Sequence, residues 1–109
     1  MGRFAFALLL LIAGVTKHVD AQQPATANAR SSLDVPQLFA TTCGWCHSEG
    51  GRAPGKGPQL MNTQRSDEFI RTRIKLGKEG AMPAFGSALS DADIDAIVDY
   101  IRALKPEQG

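Results

Sequence analysis

An all-α fold is predicted for this chain by three observations. Its helical candidates carry apolar residues at three- and four-residue steps, each opens on a Ser or Asp suited to an N-cap, and no segment alternates apolar and polar residues over strand length. The candidates amount to three to four short helices, separated by two loops too rich in Gly and Pro to be helix or central strand. A length of 109 residues has room for one small domain, and no internal repeat is visible.

Residues 1–21 read as an export signal. Arg3 supplies the positive start, Phe4 to Val15 an apolar run, and Val19-Asp20-Ala21 a small-residue cleavage site. Twelve residues at helical rise span about 18 Å, short of the ~30 Å hydrocarbon core, so no permanent membrane span is expected after cleavage. Gln22 is then the mature N-terminus and the periplasm the destination. Lys17 and His18 interrupt the usual pattern before the cleavage site, which keeps an uncleaved anchor open as the alternative. Residues 22–33, small and polar, read as a flexible leader, and the folded domain is expected over 34–106.

In that domain Asp34 is placed to cap a first helix, with Pro36 in its first turn and Leu38 and Phe39 as apolar bulk running toward Cys43. Residues 48–64 are a Gly/Pro-dense loop, long enough in so small a domain to need something to wrap. Ser66 followed by Asp67 and Glu68 starts a middle helix with a stripe of Phe69, Ile70, Ile74 and Leu76 before Gly77 stops it. After a second loop over 78–88, Ser90 caps a final helix, with Leu89 and Ile94 spaced as a hydrophobic staple. Ile94, Ile97, Val98, Ile101 and Leu104 form its apolar face, and Asp91, Asp93, Asp95, Asp99 and Arg102 take other positions.

The whole chain holds 12 basic and 11 acidic side chains, and cleavage after Ala21 leaves ten of each, which argues against a nucleic-acid partner. The distribution is uneven. Arg52, Lys56, Arg65, Arg71, Arg73, Lys75 and Lys78 face only Asp67 and Glu68 over that stretch, whereas the last helix is acidic. The basic stretch is either ordinary solvated surface or a face that steers an acidic partner.

Two cysteines separated by two residues cannot staple a loop, although export would place them in an oxidising compartment. Cys43-Gly44-Trp45-Cys46-His47 is instead the C-x-x-C-H pattern of covalent haem attachment: two thiols for the porphyrin vinyl groups and an adjacent imidazole for the iron. A thioredoxin-like dithiol would need a βαβ context that is missing here, and a zinc site lacks a fourth ligand, since His18 lies in the signal. Trp45 is a spacer, either an exposed ring without a task or a partner contact beside the haem edge. An imidazole on one face leaves the opposite position of the iron open, and a thioether there raises the potential. Met61 and Met82 compete for it once Met1 is lost, and Pro83 stiffens the loop around Met82.

Taken together, residues 34–105 resemble the class I cytochrome c family in its short bacterial form. Phe39 stands four residues before the first cysteine, Gly57-Pro58-Gln59-Leu60 matches the family's Gly-Pro-x-Leu, and Met82-Pro83-Ala84-Phe85 matches its distal Met-Pro-x-Phe loop. The resemblance implies helices wrapped around one covalent haem c, with His47 and Met82 as axial ligands. It implies that the Pro58 carbonyl accepts the His47 Nδ1 proton, that Leu60 packs on the porphyrin, and that Phe85 helps bury it. Phe39 and Tyr100 would mark the crossing of the first and last helices, with Ile97 and Ile101 lining that contact or the pocket. Val35 stands where the family often has Gly, which implies a wider crossing or a shorter first helix.

The function implied is a monomeric, non-enzymatic one-electron carrier of the periplasm. Its partners would be redox proteins, a donor dehydrogenase or respiratory complex and an acceptor oxidase or cytochrome. Two alternatives remain at this point: a membrane-tethered subunit of a larger oxidoreductase, and an open-site haem enzyme or gas sensor.

Overall fold

The computed structural model describes residues 31–107, together with Gly14. The export signal expected over 1–21, Gly14 apart, and most of the leader expected over 22–33 lie outside the described residues. Three α-helices, α1 (Val35–Thr41), α2 (Asp67–Leu76) and α3 (Asp91–Ala103), are joined by loops that contain two 3-10 turns, Cys43–Trp45 and Glu49–Gly51. The fold is all-α: among the described residues the only extended pairing is an isolated antiparallel bridge between Lys78 and Met82. No helix among them is long and apolar enough to cross a membrane.

Each helix starts where its cap residue stands. The Asp34 carboxylate accepts the Gln37 N–H at 2.9 Å, and Ser66 Oγ accepts that of Phe69 at 3.1 Å. Ser90 and Asp93 form a reciprocal box, Ser90 Oγ accepting the Asp93 N–H at 3.1 Å and Asp93 Oδ2 accepting the Ser90 N–H at 2.9 Å. Asp93 Oδ1 takes a further bond from the Ser31 hydroxyl at 2.6 Å, so the start of the domain is tied to the start of its last helix. Helix α2 ends on Gly77, whose φ of +66 suits glycine and whose N–H reaches the Arg73 carbonyl.

The bond from Ser31, with those from Ser90, holds the Asp93 carboxyl below its ordinary value of 3.8. A carboxyl with a depressed folded pKa adds stability that is present above the unfolded value and lost as pH falls through the folded one. Asp93→Asn is therefore expected to lower the melting temperature at pH 6 and to flatten its decline below about pH 4, where unfolded Asp protonates. Melting curves for the two proteins that run parallel from about pH 6 to about pH 2.5 would contradict this reading.

The core is the apolar face of α3, with Ile94, Ile97, Val98 and Ile101 buried against Ile70 and Ile74 of α2 and Val35 and Phe39 of α1. Each such side chain contributes about 1.5–3 kcal/mol by leaving water. The α1–α3 crossing is a stacked pair, Phe39 on Tyr100 with centroids 4.6 Å apart. Val35 is buried in the first turn of α1, a helix of only seven residues. Leu104 lies one step past the end of α3 and is buried all the same.

Two residues expected in the α2 stripe are not in the core. Leu76 is 73% exposed and Phe69 37%. At about 100° per residue they share the flank of α2 that faces away from Ile70 and Ile74, so four residues at these spacings could not all face α3. Arg65 and Arg73 place their guanidinium groups over the Phe69 ring, at 4.7 and 5.1 Å from its centroid.

Helices α2 and α3 run antiparallel and are also joined by charge. Arg71 meets Asp95 at 2.6 Å, Lys75 meets Asp91 at 2.6 Å, and Arg102 meets Asp67 at 2.8 Å. Arg102 further donates to the carbonyls of Thr63 and Arg65, fixing the chain as it enters α2. Two of the seven residues of the basic stretch, Arg71 and Lys75, are thus paired with the acidic last helix rather than offered to a partner.

Candidate haem-binding site

The site begins where α1 ends. The Thr42 N–H still reaches the Leu38 carbonyl at 2.8 Å, after which the chain tightens into the Cys43–Trp45 turn. The N–H groups of Cys46 and His47 both bond the Cys43 carbonyl, at 3.2 and 2.9 Å, so both thiols and the imidazole project from one turn. Gly44 makes the turn possible: a Cβ there would collide with the Phe39 carbonyl. Neither cysteine is in a disulfide, and both are half-buried. Burial pushes the Cys43 thiol up from its ordinary value, with a backbone hydrogen bond acting the other way, which disfavours the reactive thiolate. Trp45, between them, is 82% exposed.

His47 Nδ1 lies 2.8 Å from the Pro58 carbonyl oxygen. A carbonyl only accepts, so Nδ1 carries the proton and Nε2 keeps its lone pair for a metal. The loop that supplies this carbonyl is pinned on two sides. Gly57 N–H donates to the Cys46 carbonyl at 2.9 Å, and the N–H groups of Leu60 and Met61 share the Gly51 carbonyl at 2.9 and 3.0 Å. Gly57 has to be glycine, because a Cβ would stand 2.7 Å from His47 Cε1 and push the ring aside.

Met82 is carried by a second strap. Lys78 and Met82 exchange backbone hydrogen bonds, both 2.8 Å, and the strap then runs back along the end of α2, where Phe85 N–H reaches the Ile74 carbonyl at 2.9 Å and Gly86 N–H that of Lys75 at 3.1 Å. Leu60, Met82 and Phe85 are half-buried and pack against the core.

Sequence reasoning thus named Cys43, Cys46, His47, Pro58, Leu60, Met82 and Phe85. The structure gathers the first four around one turn and packs the last three on the core that adjoins it. The steric roles of Gly44 and Gly57 were missed, and glycine at a haem-motif spacing was the only local sign of them.

Among the described residues no group of three or more His, Cys, Asp and Glu side chains is arranged to hold a bare metal ion. The donors present are two thiols in one turn beside a tautomer-fixed imidazole, with a half-buried thioether on a separate strap, and this set fits a covalently attached haem.

Comparison with known proteins agrees. A family model described as cytochrome c oxidase, cbb3-type, subunit III matches residues 33–101. Cytochrome c6 of Gracilaria tenuistipitata var. liui is 37% identical over 60% of this chain and 65% of its own length. Cytochrome c6 of Microcystis aeruginosa is 34% identical over 64% of this chain and 93% of its own. The cbb3-type cytochrome c oxidase subunit FixP of Azorhizobium caulinodans is 36% identical over 61% of the chain, but that match spans only 27% of FixP. The first of these relatives is therefore matched over less than two thirds of its length and FixP over about a quarter. Among solved structures, the c-type cytochrome NirC superposes with a TM-score of 0.55 at 25% identity, covering 62% of this chain and 82% of NirC. A mutant of Kustc0563 superposes with a TM-score of 0.56 at 26% identity, covering 67% of this chain and all of that one. The chain therefore belongs to this cytochrome c family, as a small monohaem class I c-type cytochrome with one covalently bound haem c.

Proposed function

We propose that this cytochrome is exported to the periplasm, sheds residues 1–21, and shuttles single electrons through a haem whose iron His47 and Met82 would hold. Its donor is a dehydrogenase or respiratory complex and its acceptor a terminal oxidase or another cytochrome. The observation that carries the reading is the 2.8 Å contact between His47 Nδ1 and the Pro58 carbonyl, which aims Nε2 away from the loop. The haem, when bound, supplies a reversible one-electron couple.

The chain's own residues supply the rest. Cys43 and Cys46 would fix the porphyrin by thioether bonds, and the Pro58 carbonyl keeps the His47 ring in one orientation. Met61 N–H is tied into the loop that carries Pro58, which puts its backbone on the His47 side, whereas Met82 rides a separate strap anchored to α2. That difference favours Met82 as the second ligand. Leu60 and Phe85, with the core behind them, exclude water, so little has to move when charge changes. With His47 and Met82 both holding the iron, no position would be left for a substrate, which suits electron transfer.

A second reading is favoured by the cbb3-type family description and the FixP match: the same domain serving as a tethered subunit of a larger oxidoreductase, with its N-terminal segment retained. Intact mass of the purified protein decides, since a chain beginning at Gln22 plus one haem supports the free carrier, and retention of residues 1–21 supports the tether.

The ligand assignment is tested by Met82→Ala. It should abolish the weak near-infrared sulfur-to-iron band and lower the reduction potential, since a thioether favours the reduced iron. Met61→Ala should leave both unchanged, and loss of the band in Met61→Ala instead would overturn the assignment.

A further inference from the structure

Tyr100 sits on α3, far along the chain from His47, and its ring stacks on Phe39. Helix crossing accounts for the ring. It does not account for the hydroxyl, which donates a hydrogen bond of 2.8 Å to the Gly50 carbonyl in a half-buried position.

The turn that receives this bond holds the loop behind the imidazole. Gly50 and Gly51 both have positive φ, +64 and +95, so the turn has a shape that other residues adopt only under strain. Its Gly51 carbonyl accepts the N–H groups of both Leu60 and Met61. Leu60 is two residues from Pro58, whose carbonyl accepts the His47 Nδ1 proton. Gly51 also lies against the core, since a Cβ there would meet the Leu104 side chain at 3.1 Å and the Phe39 ring at 3.4 Å.

We infer that Tyr100 is a positioning residue for His47: through its hydroxyl, the Glu49–Gly51 turn and the Leu60 and Met61 amides, α3 fixes where the Pro58 carbonyl stands and so how strongly it holds the imidazole proton. This rests on the reading of His47 as an iron ligand and deepens it. A firm bond from Nδ1–H makes the imidazole more basic, and a more basic ligand favours the oxidised iron. A slack bond does the reverse. The potential of the haem is then set partly by a hydroxyl on the far helix that makes its bond to the turn rather than to the imidazole.

The test is Tyr100→Phe in the full-length holoprotein, a change that keeps the stacked ring and removes only the hydroxyl. Solvent exchange of the His47 Nδ1 proton, followed by NMR in the reduced state, is expected to accelerate about tenfold, as loss of roughly one hydrogen bond's net worth allows, and the reduction potential to rise. The near-infrared sulfur band should stay, because the Met82 strap is anchored elsewhere. Ile70→Val, which loosens the core beneath α2 without touching the turn, is the control for a purely structural role. It should lower the melting temperature and leave proton exchange and potential at wild-type values. Unchanged exchange and potential in Tyr100→Phe would overturn the inference, as would equal shifts in Ile70→Val. Failure of the underlying reading looks different, because the wild-type protein would then show no imidazole resonance shifted by the porphyrin ring current.

Discussion

Replacing Cys43 and Cys46 together by Ala is expected to yield a chain that keeps no haem through denaturation and does not fold. The reason lies in how little the polypeptide buries without its cofactor. The buried apolar side chains among the described residues are Val35, Phe39, Ile70, Ile74, Ile94, Ile97, Val98, Ile101 and Leu104. At about 1.5–3 kcal/mol each, their burial is of the order of 20 kcal/mol. A domain this small buries proportionally little of the surface its unfolded chain exposes, so a core of nine such side chains leaves it in need of a further stabilising group. The loops over 48–64 and 78–88 carry few core side chains and gain order from what they enclose. Covalent attachment makes the enclosed group unable to dissociate, which couples its retention to folding. Circular dichroism and visible absorbance of the exported double variant should show most of the helical signal and all covalently retained colour gone. A colourless Cys43→Ala/Cys46→Ala protein melting cooperatively near the wild-type temperature would show that the chain's own core suffices.

Gly77→Ala is expected to be the most damaging single substitution outside the attachment turn. Gly77 closes α2 at φ +66 and ψ −162, a conformation essentially reserved for glycine. A Cβ there would collide with the Met82 carbonyl oxygen and stand 2.7 Å from Ala84 N and from the Pro83 carbonyl carbon. These are backbone atoms of the strap that carries Met82, so no side chain can swing away. Backbone strain costs about 1–3 kcal/mol, and displacing the strap adds to it. A loss of about 3 kcal/mol lowers the melting temperature by roughly ten degrees or more in a domain this small. Met82 should move with the strap, so the sulfur band should weaken in proportion. Gly80→Ala isolates the steric part. Gly80 has a similar φ of +70 and nothing within 4 Å of a built Cβ, so only the conformational cost applies, about 1–2 kcal/mol, with the band intact. Equal effects of the two substitutions on the band would mean that contact with the strap is irrelevant.

The helix starts were legible because a cap is a bond between residues three apart, so Asp34, Ser66 and Ser90 could be read with no knowledge of the fold. The attachment pentapeptide was legible for the same reason. The stripe assigned to α2 went wrong at Phe69 and Leu76, and a strict angular count would have excluded them, since residues one before and six after Ile70 cannot share its face. Other features had no local signature. Gly44 and Gly57 are required by the Phe39 carbonyl and the His47 ring, neighbours that exist only once the chain has turned. The hydroxyl of Tyr100 bonds a carbonyl 50 positions away. The unevenness of the basic stretch is plain in the sequence, but a linear tally cannot reveal that Arg71 and Lys75 lie opposite Asp95 and Asp91 across an antiparallel helix pair.

That arrangement bears on how another protein would find this one. The field of two opposite charges in contact falls off steeply beyond their own separation, and what survives at distance is further damped within about 10 Å by ordinary salt. Among the described residues, Lys56, Arg65, Arg73, Lys78 and Lys105 remain outside ion pairs, with Asp34, Glu49, Glu68, Glu79, Asp93 and Asp99 to offset them. A molecule approaching by diffusion therefore meets a surface with no dominant sign. Recognition would then fall to contacts made after collision, where the uncovered indole beside the attachment cysteines is the most exposed large apolar side chain among the described residues.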